Sequence, residues 1–214
     1  APAIRQVTHA AVVPDPQPEW PATGQAVRVS ALITDPQGVA TATLEYQVVA
    51  PGDYITRSDA RYAAPASWVA LAMRDDGLGG DTSAGDGVFS ALIPGSVQQH
   101  RRLIRYRITA ADAGGATVRV PYADDPQPNF AYFVYDGVPE YTAKATPTAS
   151  GVTYPRSTLT SIPVYHLVTT LAEHANSQQV PVPRGDGTTQ NPSGGQYGHS
   201  LYNWHGALCY DGRV

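Results

Sequence analysis

Cysteine is nearly absent from this chain: Cys209 is the sole thiol among 214 residues. No intrachain disulfide can form, so stability has to come from burial. Charge is scarce as well, with Asp, Glu, Lys and Arg at 15 % of residues, against about a quarter in an ordinary globular chain. The net charge is −4, and no basic run exceeds His100-Arg101-Arg102, which argues against a nucleic-acid partner. No apolar run approaches the roughly eighteen residues of a membrane span. A G-x-S-x-G elbow is missing too, and with it the usual signature of a Ser-His-Asp hydrolase. The chain opens on Ala1-Pro2 without an initiating methionine, which fits a processed product or an excerpt of a longer one.

Turn and strand material is abundant instead. The chain has 20 glycines, 19 prolines and 13 tyrosines, with plentiful Val, Thr and Ala. Period-two patterning predicts an edge strand over 3–9 and further strands over 26–34, 39–50, 67–73, 88–93, 102–112, 117–121 and 130–135. Pro14, Pro16, Pro18 and Pro21 make 12–22 a stiff surface loop, and Asp35-Pro36-Gln37-Gly38 is a turn with proline at its second position. No helix is expected before residue 155. Seven or eight short strands at this spacing predict an all-β fold, an antiparallel sandwich of immunoglobulin or fibronectin-III type over residues 1–137, with Trp68 in its core.

Within 102–112, Leu103, Arg105 and Arg107 fall on one side and Ile104, Tyr106 and Ile108 on the other. The arginines are expected on a solvated face rather than at a phosphate site, because strand geometry spaces them and no glycine cradle accompanies them.

Composition shifts after Gly137. Residues 138–160 are rich in Thr, Ala and Ser and read as a linker. Residues 161–214 predict a short partial α+β segment: a strand over 162–168, a short helix over 169–176, a polar loop over 180–198 and a hairpin strand over 201–214.

The densest chemistry lies in 73–94, MRDDGLGGDTSAGDGVFSALIP, where Asp75, Asp76, Asp81 and Asp86 stand among Gly77, Gly79, Gly80, Gly85 and Gly87 between two strands. An EF-hand is excluded: counted from Asp75, positions 3 and 5 are Gly77 and Gly79, and the flanks are strands. Two readings stand. The four aspartates are candidate ligands of a hard cation, Ca²⁺, or they accept bonds from nearby backbone amides and shape the loop without metal. Elsewhere, Asp124-Asp125 is either a second cation site or an ordinary turn start. His205-x-x-x-Cys209 has zinc-compatible spacing but is half a site, and His166, His199 and His205 fit packing roles better.

The pattern M-x-DDG-x-x-GD-x-x-AGDG-V-F-x-A-x-IP, continued through 100–107, 121–126 and 132–137, resembles immunoglobulin-like modules of bacterial extracellular and surface proteins. Such modules occur ahead of spore-coat-H (CotH) kinase-like domains. IPVYHL at 162–167 and YNWHGALCYDGRV at 202–214 resemble the opening of a CotH-like domain. The resemblance implies a secreted or cell-surface, non-catalytic structural or interaction module, with calcium as a stabiliser and a protein or polysaccharide as partner. The alternative it implies is the N-terminal portion of a CotH-type protein kinase. That family's phosphoryl transfer needs a nucleotide-binding lysine and acidic metal ligands, and the sole lysine of the chain, Lys144, lies in the linker. A carbohydrate-binding module is a third reading, resting on exposed tyrosines and Trp204.

Overall fold

Alternation of side chains across a strand puts every second residue on one face, and the computed structural model shows where each face goes. It describes residues 1–13, 20–146, 148–177, 182–183, 189–190, 205–210 and 214. Pro14, Pro16, Pro18, His199, Trp204 and most of the polar stretch 180–198 lie outside the described residues.

The first eight strands are β1 (Ala3–Ala11), β2 (Val27–Thr34), β3 (Val39–Val49), β4 (Val69–Ala72), β5 (Val88–Ile93), β6 (Leu103–Asp112), β7 (Thr117–Val120) and β8 (Phe130–Phe133). They form two antiparallel sheets, one in the order β1-β2-β5 and the other β4-β3-β6-β7, with β8 also on β6. The fold is an all-β sandwich. The registers Ile108↔Val120 and Tyr106↔Phe130 place β7 and β8 end to end along one edge of β6, with residues 121–129 looping out between them. Among the described residues β1 pairs only with β2, as an edge strand should, and its register shifts between Arg5 and Thr8.

The main core lies between the sheets. Val27, Val29, Ala31 and Ile33 of β2 are at most 2 % exposed, and Ile104, Tyr106, Ile108 and Ala110 of β6 face them. Met73, Leu44 and Tyr132 fill the same layer.

The other face of the five-stranded sheet is covered too, and here the expected solvated arginines are overturned. Arg105 is only 5 % exposed. Residues 50–68 fold over that face, carrying Tyr54, Ile55, the one-turn helix α1 (Ala60–Ala63), Tyr62 and the buried Trp68. Arg105 Nη1 donates to the Ile55 carbonyl at 2.6 Å, and its guanidinium stands 4.8 Å from the Tyr54 ring. Arg107 donates to both oxygens of Glu45, at 2.8 and 3.2 Å, and lies 4.1 Å over the Trp68 ring. Trp68 is a core residue whose indole N–H donates to the Tyr62 carbonyl at 2.9 Å. Alternation set the side on which the arginines stand; a distant segment decided that the side is covered.

Residues 138–160 hold a hairpin of β9 (Tyr141–Ala143) and β10 (Val152–Tyr154), with Thr142 and Thr153 hydroxyls 2.8 Å apart, and then the single turn α2 (Arg156–Leu159). Tyr, Thr and Val favour a pleated strand even in a Thr/Ala-rich stretch. Beyond it come β11 (Tyr165–Thr169), α3 (Leu171–Ser177), the two-residue strands β12 (Val182–Pro183) and β13 (Thr189–Gln190), and β14 (Gly206–Tyr210). β11 pairs antiparallel with β14. Their Val168 and Cys209 join Val49, Ile55, Leu103, Phe133 and Tyr135 in a second buried cluster, so this ribbon packs on the sandwich. Among the described residues no helix is long and apolar enough to cross a membrane.

Candidate metal centre

The segment between β4 and β5 begins as an extension of the sheets. Arg74 and Ser90 exchange backbone bonds of 2.8 Å in both directions, which pins the two ends of the loop together. Glycine then lets the loop backbone press against the neighbouring strands. Gly80 has φ +107°, and a Cβ there would sit 2.7 Å from Leu92 Cγ, so the loop lies directly on β5. Gly87 has φ +82° and its carbonyl accepts the Ile33 amide at 2.9 Å, tying the loop to β2.

Each aspartate accepts backbone amides. Asp75 Oδ1 takes Gly85 and Asp86 N–H at 2.8 and 3.1 Å, and its Oδ2 takes Gly87 N–H at 3.1 Å. Asp81, only 7 % exposed, takes Gly77 N–H on Oδ2 at 2.7 Å and Thr82 N–H on Oδ1 at 2.9 Å. Asp76 and Asp86 each close a local turn, to Leu78 and Val88 at 3.0 and 2.9 Å. The loop-shaping role read from the sequence is therefore present.

The same folding gathers charge. Carboxylate oxygens of Asp75, Asp81 and Asp86 all lie within 4.8 Å of one another. Asp76, the fourth expected ligand, stands apart from them: it is exposed, and its Oδ2 is 3.6 Å from Arg74 Nε. Asp75 Oδ1 spends both lone pairs on amides, whereas Asp75 Oδ2 and both oxygens of Asp81 accept one bond each and keep a second lone pair. Two oxygens bound at 2.3–2.6 Å to one calcium lie at most about 4.6–5.2 Å apart, so the three carboxylates fit a common hard cation.

The other candidates separate. Asp125 accepts the Gln127 amide at 3.0 Å and serves a turn. Cys209 is fully buried, and burial pushes its thiol up to about 11, which keeps it protonated. His205 is exposed, with Nδ1 3.6 Å from Glu173, so the two do not share one environment. His166 packs against Phe133 and Tyr135, with ring centroids 5.0 and 4.5 Å away, and burial lowers its pKa. Among the exposed tyrosines, Tyr165 and Tyr210 are register partners whose rings stack at 4.6 Å.

Sequence reasoning missed Arg105. Its signal, an arginine in perfect alternation with Leu103, is that of any half-buried strand, and nothing local marks the cover formed by 50–68. No family model matches the chain, and no curated protein or solved structure matches it.

Proposed function

We propose that this chain is a non-catalytic structural or interaction module, secreted or held at a cell surface, whose β4–β5 loop is stabilised by calcium. The observation that carries the calcium reading is the convergence of Asp75, Asp81 and Asp86 within 4.8 Å, with Arg74 directed to Asp76 instead of into the group. Three carboxylates this close repel one another, and a divalent cation turns that repulsion into attraction. The module reading is supported by a sandwich of the strand order β1-β2-β5 against β4-β3-β6-β7, which suits an immunoglobulin or fibronectin-III type. The extracellular placement rests on the sequence resemblance alone.

The test is thermal melting of the chelated protein with and without millimolar Ca²⁺. A ligand that binds only the folded state raises the melting temperature, and Asp86→Asn, at an exposed member of the group, should abolish the rise. A melting temperature indifferent to both EDTA and Ca²⁺ sinks the calcium reading.

A second reading, the N-terminal portion of a CotH-type kinase, is favoured by one observation. The two segments that carry that resemblance are neighbours, with Tyr165 opposite Tyr210 and Leu167 opposite Leu208. ATP-dependent labelling of a test protein by the full-length gene product, with none by residues 1–214, supports it; no labelling by either removes it.

A further inference from the structure

Arg105 stands in the wall of a cavity of about 320 Å³ formed by the 50–68 cover, the loop before β8 and the start of β14. A guanidinium keeps its proton under all ordinary conditions, so this is a buried positive charge. Its environment offers the Ile55 carbonyl at 2.6 Å and the rings of Tyr54 and Tyr62 at 4.8 and 5.8 Å. Among the described residues, no carboxylate lies within ion-pairing distance of it. The nearby acids are engaged: Glu45 holds Arg107 at 2.8 Å, while Asp53 and Asp59 hold Arg61 at 2.9 and 2.7 Å. A buried charge without a counter-charge is costly to keep.

The rest of the cavity adds to this imbalance. Arg57 is exposed on the same wall and forms no ion pair with a described residue. Among the described residues that line it there is no Asp or Glu side chain, although the chain carries a net charge of −4. The Tyr62 hydroxyl donates to Asn129 Oδ1 at 3.1 Å, which braces the wall, and Gln127 supplies an exposed amide. Phosphate sites add a nest of backbone amides turned inward; here the polar wall is made of guanidinium, phenol and amide side chains.

We propose that this cavity is a binding site for a small carboxylate-bearing ligand. The carboxylate's two oxygens take N–H groups that Arg105 does not spend on Ile55, in the planar pairing that guanidinium favours, and Arg57 at the rim shares the charge. The site is independent of calcium in the β4–β5 loop. Its carboxylate comes either from a sugar acid or from an acylated amino acid, and the probes separate the two.

The full 214-residue chain is titrated by calorimetry with sodium galacturonate and with N-acetylglycine. Their neutral counterparts, galactose and N-acetylglycinamide, and inorganic phosphate serve as comparisons. One carboxylate is expected to bind at least tenfold more tightly than its neutral counterpart, and the tighter of the two identifies the source. Arg57→Gln, an exposed change, should weaken it at least threefold, and Arg105→Met should abolish it. The proposal is overturned if neither carboxylate binds, if the preference over the neutral counterpart is less than tenfold, or if phosphate binds more tightly than both. It is equally overturned if Arg57→Gln weakens binding less than threefold, or if folded Arg105→Met still binds. Should Arg105→Met fail to fold, the Arg57→Gln titration decides.

Discussion

The β4–β5 loop places four carboxylates within 75–86 and compensates them with backbone amides; the outer face of the five-stranded sheet places Arg105 and Arg107 on one strand and compensates them with rings, a carbonyl and one glutamate. In the loop, every amide bonded to an aspartate side chain comes from within twelve residues of it. On the sheet, Arg105 finds Ile55 fifty residues away and Arg107 finds Glu45 sixty-two residues away. Glycine and aspartate carry their partners with them, as turn chemistry does. A strand arginine depends on whatever the fold lays over it, and the cost of its burial is offset only there.

Five substitutions break or sharpen this contrast. The largest effect belongs to Trp68→Ala, which removes the floor beneath Arg107 and the buried indole that holds Tyr62; it should cost about 3–5 kcal/mol in urea denaturation. A loss under about 1 kcal/mol would mean that the cover over this face is not tightly packed. In the loop, Asp75→Ala removes the carboxylate that takes three backbone amides, of which only Gly85 keeps another acceptor, the Asp75 carbonyl, and should cost about 1.5–3 kcal/mol. Asp76→Ala, which loses one turn bond and a 3.6 Å contact with Arg74, should stay within about 0.5 kcal/mol. Equal losses from the two would dissolve the distinction between aspartates that organise the loop and one that decorates it.

Glu45→Gln tests whether Arg107 is held by charge or by its ring. The pair is partly exposed, with side chains 14 and 25 % accessible, so a loss of about 1 kcal/mol is expected. No loss would assign the work to Trp68. The gentlest effect is with pH. Burial lowers the pKa of His9, whose Nδ1 lies 3.0 Å from the Tyr106 hydroxyl. The unfolded chain therefore binds a proton below about 6.5 that the folded chain still refuses. Stability is complete above that value and declines as the pH drops from it toward the lowered folded pKa. His100 and His166 are lowered by the same cause, so His9→Gln should remove part of the decline between pH 7 and pH 5. An unchanged decline in urea titrations would take His9 out of the account.

Legibility in the sequence divides along the same line, between local partners and distant ones. The strands over 27–34, 88–93 and 103–112 were legible because their apolar residues repeat every second position, and burial keeps that period at Val27, Val29, Ala31 and Ile33. The loop's aspartates were legible as a group, since glycines and carboxylates in one short stretch have few other uses. That Asp75, Asp81 and Asp86 converge while Asp76 turns toward Arg74 was not, because it depends on the φ > 0 turns at Gly77, Gly79 and Gly80 acting together. The hairpin β9–β10 was hidden in a composition that reads as a linker, since three-residue strands leave too short a pattern to detect.

By itself, then, the sequence determined the strand pattern, the all-β class, the absence of a disulfide within residues 1–214 and the placing of an acidic, glycine-rich loop between two strands. Each of these is written in residues close together along the chain, where alternation, turn geometry and amide–carboxylate bonds act over a dozen positions or fewer. Only the tertiary structure decided that both faces of the larger sheet are covered, that Cys209 and Val168 pack into its second cluster, and that Arg105 is buried beside a cavity with no Asp or Glu side chain among its described lining residues. Those outcomes depend on which distant surface lies against which, and burial of that kind leaves no period in the sequence.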